Sequence, residues 1–371
     1  MRMNKAISVL CCFVVLFLLA SCKTFGAGNE SLPFIEYSDN SSQDSSEQSN
    51  SVDTYLEGSS LAIKRRYVAQ FRERIIVYGR LIAAVKDDGT LLYTEEHLEE
   101  NGFAGQEDRL DALHDVIALK PYDSFSGKKK DSTMFTCWYS SSKNENVFKN
   151  VSTWTDVVDW SAQQYLIIGL KNDGTVVTDG VLKLVAMHDN PKDWVDYDLS
   201  HWNDVVSVAC CGLGSTVFGL KSDGTVYYAT ASKGYIEDGR YDSVLTWKDI
   251  VQLSSSQHHI AGLRSDGSVE VTGFGIDTTH AYLHNAAYWK DIVSIAVGNN
   301  GIAGLKADGT VVYAGDATKG QEACLEWEDI IAIAMGDEYV VGLREDGAVV
   351  STSAGNLTAG WNIFENRELL M

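Results

Sequence analysis

The chain has 371 residues, of which 45% are hydrophobic, and its formal net charge is −21. Such an acidic surface repels a phosphate backbone, which argues against nucleic acid as a partner. The length allows two average domains or one large all-β domain, and the hydrophobic content suffices for a sizeable core.

Residues 1–21 have the pattern of a signal peptide. Arg2 and Lys5 precede an apolar run of 15 residues, which is too short for a comfortable membrane span. The run ends in Leu-Ala-Ser-Cys, which resembles the bacterial lipobox. That resemblance implies cleavage before Cys22 and acyl chains such as palmitate on the new N-terminus. We therefore expect a lipoprotein of the bacterial cell membrane that faces the extracytoplasmic side. An ordinary secreted leader or an uncleaved anchor are the alternatives.

Residues 22–54 are predicted to be a disordered tether, because they are rich in Ser and Asp and poor in aliphatic side chains. A single periodic domain is then expected over residues 55–371. Its most regular signal is an Asp-Gly dipeptide, typical of a tight hairpin turn. Six Asp-Gly dipeptides follow the repeat pattern, with their glycines at Gly89, Gly174, Gly224, Gly267, Gly309 and Gly347.

The last five of these glycines are 38 to 50 residues apart, which is the length of a propeller blade. The longer gap between Gly89 and Gly174 accommodates one degenerate unit, which starts at His114-Asp115. The sequence therefore predicts seven units.

Two further motifs accompany the Asp-Gly turns. Trp-x-Asp precedes an aliphatic strand, as at Trp289, and Gly-Leu-Lys or Gly-Leu-Arg precedes the turn, as at Gly304. Together these motifs resemble the repeat named for the regulator of chromosome condensation, over roughly residues 70–365. The resemblance implies a seven-bladed propeller. The repeated tryptophan is expected to be a wedge between blades rather than a ligand platform.

The predicted fold class is all-β: a seven-bladed β-propeller of four-stranded antiparallel blades. The fourth strand is expected in the variable stretch before each tryptophan. Near the C-terminus, Trp361 begins a unit that has no hairpin, so a strand around Asn362–Glu365 is expected to join the first blade and close the ring. A short helix is expected within residues 61–75.

Binding residues are expected on the upper face, where the first strand of each blade turns into the second and where the variable loops return. The candidate interaction residues are Gln163, Gln164, Trp194, Tyr235, His258, His259, Tyr282, Asn299, Asn300, Asp337 and Glu338.

No metal, cofactor or catalytic residue is predicted. His258-His259 fits a plain turn, and His280 with His284 lies in a loop rather than on a helix. No phosphate-binding loop or nucleophile motif is present. The cysteines after Cys22 fit buried thiols, and their pairing stays open.

Three functions remain open at this point. The first is an interaction module that binds an unknown protein partner as a monomer. The second is a glycan-binding or cell-wall-binding lipoprotein, which would use Trp194 and Tyr235 to stack on sugars. The third is a glycoside-directed enzyme, for which the sequence offers no distinctive pair of carboxylates. We favour the first, a non-enzymatic function.

Overall fold

The structure is a computed structural model that describes residues 59–364, except 96–97, 99–106, 123, 138–147, 149, 164–165, 181–198 and 277–278. The described residues belong to one compact unit, Tyr37–Met371. They form seven antiparallel sheets, and each sheet has three strands in chain order. The predicted signal peptide, Cys22 and the tether lie outside the described residues.

The strands are numbered in chain order. The first four sheets consist of β1 (Ile75–Tyr78), β2 (Leu81–Val85) and β3 (Leu91–Tyr93); β4 (Val116–Tyr122), β5 (Ser124–Lys129) and β6 (Met134–Cys137); β7 (Val157–Gln163), β8 (Leu166–Lys171) and β9 (Val176–Gly180); and β10 (Val205–Cys211), β11 (Thr216–Lys221) and β12 (Val226–Thr230). The last three consist of β13 (Ile250–Ser255), β14 (His259–Arg264) and β15 (Val269–Gly273); β16 (Ile292–Val297), β17 (Gly301–Lys306) and β18 (Val311–Gly315); and β19 (Ile330–Met335), β20 (Val340–Arg344) and β21 (Val349–Ser351).

The sheets pack face to face in sequence. The first strand of each sheet contacts the first strand of the next, from β1 to β19, and β19 also contacts β1. The core lies between adjacent sheets: Val341 and Leu343 of the seventh sheet, for example, pack with Ile75 and Ile82 of the first. We call the end with the turns between first and second strands the upper face, and the end with the Asp-Gly turns the lower face.

The repeated tryptophans lie between sheets, which confirms their predicted role as wedges. Trp327 packs with Leu305 and Val311 of the preceding sheet. In its own sheet Trp327 covers Gly342, where a Cβ would lie 2.9 Å from the indole. Glycine is thus required under the ring, because close-packed interiors tolerate no added methyl group at that distance. The Gly-Leu-Lys and Trp-x-Asp motifs recur together for this reason.

Four of the six Asp-Gly turns, at Gly89, Gly224, Gly267 and Gly309, accept a hydrogen bond from the first strand of the next sheet and so join neighbouring sheets. The aspartate of Trp-x-Asp adopts a left-handed backbone, as at Asp291 with φ 60°, and its carbonyl accepts a hydrogen bond from Ala307 N (2.9 Å). The next residue, Ile292, donates its N–H to the carbonyl of Gly267 in the preceding sheet (3.3 Å). A Cβ at Gly267 would lie 3.0 Å from Ile292 N, so this joint needs glycine.

The C-terminal residues repeat this joint without adding a sheet. Ile363 donates its N–H to the carbonyl of Gly347 (3.0 Å), and its own carbonyl accepts from Asp87 N of the first sheet (3.0 Å). A single bridge joins Asn362 to Ala348. The predicted pairing of a C-terminal strand with the first sheet is not confirmed. Ile363 bonds to the turns at the lower face, not to the edge of a strand.

The predicted four-stranded blades are also not confirmed, since each described sheet has three strands. Before four of the tryptophans the chain instead forms a 3₁₀-helix that contacts the third strand of the sheet. Within these helices the backbone bonds are local, as from Trp327 N to Cys324 O (3.2 Å), so no ladder to the third strand is needed. The four 3₁₀-helices span Val151–Thr153, Asp242–Thr246, Ala281–Tyr288 and Gln321–Glu326.

Three described α-helices are present: α1 (Ser60–Ala69), α2 (Glu107–Asp111) and α3 (Lys233–Asp238). None of the helices within the described residues is long and apolar enough to span a membrane. Helix α1 confirms the helix expected before the first sheet, and Ser59 caps it by accepting a hydrogen bond from Ala62 N (3.2 Å).

Helix α1 lies on the lower face. It contacts β16 and β19, and Arg65 Nη1 donates to the carbonyl of Ser265, next to an Asp-Gly turn (2.8 Å). Tyr67 Oη donates to Glu345, at another such turn (3.3 Å). The helix therefore covers the lower ends of the first strands in the fifth, sixth and seventh sheets.

A buried ion pair joins the second, third and fourth sheets. Lys120 Nζ contacts Asp159 Oδ1 and lies 3.2 Å from Glu73 Oε1. The other carboxylate oxygen of Asp159 accepts from Ser207 Oγ (2.6 Å) and Val208 N (2.8 Å). Burial opposes both charges, yet their attraction outweighs it. The pKa of Lys120 is raised, and the pKa of Asp159 is lowered.

The cysteines that the structure describes are all free and buried, as the sequence predicted for them. Burial raises the pKa of Cys137, Cys210 and Cys324 to about 12. These thiols are therefore protonated at neutral pH and inert as nucleophiles.

Candidate functional site

Several residues predicted for binding hold neighbouring sheets together at the upper face. Asn299 Oδ1 accepts from Gln257 N of the fifth sheet (3.0 Å), and Asn299 N donates to Asp337 Oδ1 of the seventh (3.4 Å). Arg80 of the first sheet forms an ion pair with Glu338 (3.1 Å). These side chains link turns between sheets. We therefore assign Asn299, Asp337 and Glu338 a structural role.

A second group on the upper face consists of rings around one guanidinium. Arg240 Cζ lies 4.0 Å from the ring centroid of Tyr235 and 5.0 Å from that of Phe274. His258 and Phe274 have ring centroids 5.8 Å apart. We call this group the aromatic cluster; its members are Tyr235, Arg240, His258, His259, Phe274, His280 and Tyr282.

The cluster is built by the variable segment that follows the fourth sheet. Ser232 caps α3 by accepting a hydrogen bond from Tyr235 N (3.4 Å), and Gly239 ends the helix in a left-handed conformation. Arg240 follows at once, and its Nη2 is 2.6 Å from Asp238 Oδ2. Thr272 of β15 donates to the Arg240 carbonyl (3.2 Å). The guanidinium is thus fixed before any ligand arrives.

His259 is the buried histidine of the aromatic cluster. Its side chain is fully buried, and Nε2 donates to the carbonyl of Phe274 (3.0 Å), which holds the backbone at Phe274 in place. Burial, and then the charge of His280, whose ring centroid is 4.8 Å away, lower the pKa of His259 to about 4. His259 is therefore neutral at pH 7. The pKa of His258 is also lowered, by burial and then by His280.

The outer part of the cluster is exposed. Phe274 is 48% exposed and the neighbouring helix residue Ile236 is 52% exposed. His280 and Tyr282 are half-buried, with ring centroids 5.8 Å apart. The cluster therefore presents an apolar and aromatic surface beside one fixed positive charge.

Apart from Asn299, Asp337 and Glu338, the predicted candidates divide into three sets. Tyr235, His258, His259 and Tyr282 come together in the aromatic cluster. Gln163 and Asn300 are half-buried residues at turns of the upper face, outside the cluster. Gln164 and Trp194 lie outside the described residues.

Sequence reasoning missed Arg240, Phe274 and His280. None belongs to a repeated motif, and each stands in a variable segment or directly beyond a strand end. The adjacent His258-His259 pair was a signal, but its third imidazole, His280, comes from a separate loop. Among the residues that the structure describes, no three His, Cys, Asp or Glu side chains are arranged to hold a metal ion.

The charged side chains at the lower face form bonds within their own hairpin turns. Asp308 Oδ1 accepts from Thr310 Oγ1 (2.6 Å) and Thr310 N (3.0 Å), and Lys306 Nζ is 3.5 Å from the other oxygen. These bonds hold the pKa of Asp308 below its usual value, the Thr310 hydroxyl contributing most. The same pattern occurs at Asp88 and Asp223. The lower-face aspartates are therefore engaged in hairpin turns.

We expect the folded protein to lose stability as the pH falls from about 6.5 to 4, partly because of His259. The pKa of His259 is lower in the folded than in the unfolded state. Its contribution to folding stability is therefore fully present above the unfolded pKa, and it is lost as the pH falls towards the folded pKa. The contribution is about 3 kcal/mol. Denaturant unfolding at several pH values should show a flatter profile for His259→Gln than for wild type. His201→Gln, at an exposed histidine, is the control, and equal profiles for both variants would contradict the assignment.

No family model and no curated protein matches this sequence. Solved structures do match in fold. The chain is similar to the ectodomain of the Physcomitrella patens receptor kinase CR4 (TM-score 0.51, 11% identity, 75% of this chain and 72% of that chain). It is equally similar to the CRINKLY WD40 ectodomain of the Arabidopsis thaliana receptor kinase ACR4 (TM-score 0.51, 14% identity, 75% and 93%).

Yeast RCC1 (Prp20), solved with Kap60 bound, is a further neighbour with a TM-score of 0.50, 12% identity and 86% of each chain covered. Identities this low establish the fold alone. The resemblance to the regulator of chromosome condensation repeat is confirmed at that level: the chain has a β-propeller fold like that of RCC1.

Proposed function

We propose that this protein is an interaction module anchored outside the cytoplasm, and that the aromatic cluster is the surface that contacts its protein partner. The observation that carries the proposal is Arg240 held between the rings of Tyr235 and Phe274, with Phe274 exposed. Arginine and aromatic side chains are enriched where protein interfaces concentrate their binding energy.

The pre-formed geometry supports this role. Asp238 orients the guanidinium and His259 holds the backbone at Phe274 in place, so little conformational entropy remains to be lost on binding. The yeast RCC1 propeller has been solved with a protein partner, Kap60. A partner for the present chain would offer a carboxylate to Arg240 and an apolar side chain to Phe274.

The arrangement favours a protein over a glycan. A sugar stacks on an aromatic face that is free, whereas the guanidinium of Arg240 already lies over Tyr235 and Phe274. Of the two residues put forward for sugar stacking, Tyr235 is covered in this way and Trp194 lies outside the described residues.

Site-specific cross-linking would test the surface. A photoreactive phenylalanine analogue at position 274, in cells, should give a discrete adduct with one protein. The same analogue at Tyr288, which is 81% exposed and precedes a tryptophan at the lower face, is the matched control. Adding Arg240→Ala should reduce the adduct at least tenfold, since truncating an interface anchor costs about 2 kcal/mol. An unaltered adduct, or identical adducts from both positions, would exclude the cluster as the contact surface.

The membrane anchor is proposed from the lipobox-like sequence at residues 19–22. Acyl chains on Cys22 would add membrane affinity with each buried methylene. In a detergent phase separation the wild-type protein should enter the detergent phase, and Cys22→Ser should remain in the aqueous phase or keep its leader. If wild type and variant partition alike at the same length, the anchor is not a lipid on Cys22.

We also propose that the C-terminal residues complete the seven-bladed ring. The support is that Ile363 bonds to the seventh sheet at Gly347 and to the first sheet at Asp87. In the other sheets, the residue equivalent to Asp87 donates to the aspartate that starts its own sheet, as Ala307 does to Asp291. Ile363 supplies that acceptor to the first sheet.

A further inference from the structure

A small cavity of about 100 Å³ lies between helix α1 and the first strands β13 and β16. Its polar lining consists of Arg65 and Arg66 from α1, Arg72 after the helix, Gln252 of β13 and Ser294 of β16. The volume equals that of about three water molecules in the liquid, or roughly one tetrahedral anion. The cavity belongs to the lower face, at the opposite end of the sheets from the aromatic cluster.

The charge of this lining is exceptional for the chain. The protein has 51 acidic and 30 basic residues, yet three arginines and no Asp or Glu are among the residues that line the cavity. Arg66 is exposed and Arg72 half-buried, and neither forms an ion pair among the described residues. Arg66 and Arg72, with no Asp or Glu in the lining, favour an anion beside them.

Ser294 provides a second, independent observation. Its side chain is 3% exposed, and Oγ has no hydrogen-bond partner among the described residues. The residues that correspond to Ser294 on two other first strands are engaged. Gln252 bonds to both backbone groups of Ile295, and Asp159 accepts from Val208 N. A buried hydroxyl without a partner is costly, and a ligand oxygen in the cavity would satisfy it.

We infer that this cavity binds a small oxyanion, such as inorganic phosphate or sulfate, through the guanidinium groups of Arg66 and Arg72 and the hydroxyl of Ser294. Arginine suits this ligand because its planar fork matches the oxygen geometry of such anions. The inference does not depend on the proposed protein partner, because the two sites share no residue.

Calorimetric titration of the full chain with sodium phosphate and with sodium sulfate, at an ionic strength held constant with sodium chloride, tests the site. We expect saturable binding of one anion per chain. Arg66→Gln and Arg72→Gln should each weaken the affinity at least about tenfold, the equivalent of one charge-assisted hydrogen bond. Ser294→Ala should weaken it several-fold. The matched control is Lys64→Gln, which removes one charge from the same helix at a residue outside the lining and should leave the affinity unchanged.

Thermal melts of each variant without added anion establish that it is folded, so that a lost affinity is not a lost fold. Absence of saturable binding in the wild type would overturn the inference. So would an equal loss of affinity in Lys64→Gln and Arg66→Gln, because attraction by the net charge of the helix would then suffice. Acetate binding in the same site with the same variant pattern would support it and extend it to carboxylates.

Discussion

A chain that ends at residue 360 should melt at least about 10 °C below a chain that ends at residue 364. The missing residues include Ile363, which is fully buried, and Phe364, which is 9% exposed. Both pack in the core layer between the first and seventh sheets. Removal of two such side chains costs about 5 kcal/mol or more through lost burial and the cavity left behind. Differential scanning calorimetry of both chains would measure the difference.

The chain that ends at residue 364 is the matched control, because it retains every described C-terminal contact. These include Arg74 over the ring of Phe364 at 5.5 Å and Phe71 beside it at 5.8 Å. If the two truncations melt together, the C-terminal residues do not close the ring. Ile363→Ala alone should also lower the melting temperature, by a smaller amount. That result would show that lost core packing, rather than the shorter chain, causes the destabilisation.

Lys120→Met should destabilise the fold by about 3 to 5 kcal/mol, because it leaves a buried carboxylate without its cation. Asp159 would keep its bonds from Ser207 and Val208 but lose the charge that holds its pKa down. Chemical denaturation at pH 7 measures the loss. As the pH falls below about 4, the stability difference between variant and wild type should shrink. Asp159 takes up a proton first in the variant, because no cation there lowers its pKa, and the buried charge then disappears.

Two comparisons isolate the pair. Lys120→Met combined with Asp159→Asn should recover part of the loss, since no uncompensated charge then remains. Lys221→Met removes the partner of Asp223, a carboxylate that is 55% exposed, and should cost less than about 1 kcal/mol. Equal losses at Lys120 and Lys221 would show that the buried pair carries no special weight.

The repeated parts of this fold were predictable because each repeats for a local physical reason. The Asp-Gly turns need positive φ, and the glycine before each leucine leaves room for a tryptophan ring, as Gly342 does for Trp327. Both requirements therefore select glycine at a fixed position in each repeat. The predicted fourth strand is not confirmed, and the segment before each tryptophan has no repeating sequence pattern that would indicate its structure. Before four of the tryptophans, this segment satisfies its backbone locally as a 3₁₀-helix.

The aromatic cluster was only partly predictable. Tyr235 and Tyr282 are predicted from the variable loops and His258 from an upper-face turn, and that reasoning finds exposed loops rather than sites. Arg240 and Phe274 lie in loops that follow two different sheets, and they meet only in the folded structure. No spacing in the sequence therefore indicates their contact. The same reasoning selected Asn299 for binding, although its side chain connects two sheets.

The position of Ile363 also has a consequence for biosynthesis. The first sheet is made early, but Asp87 finds its acceptor only when the last residues of the domain appear. Contacts between the two ends of a chain have high contact order and form slowly. Until then the apolar faces of the first and seventh sheets stay open to other chains. A nascent propeller would therefore be most prone to aggregation just before its synthesis is complete.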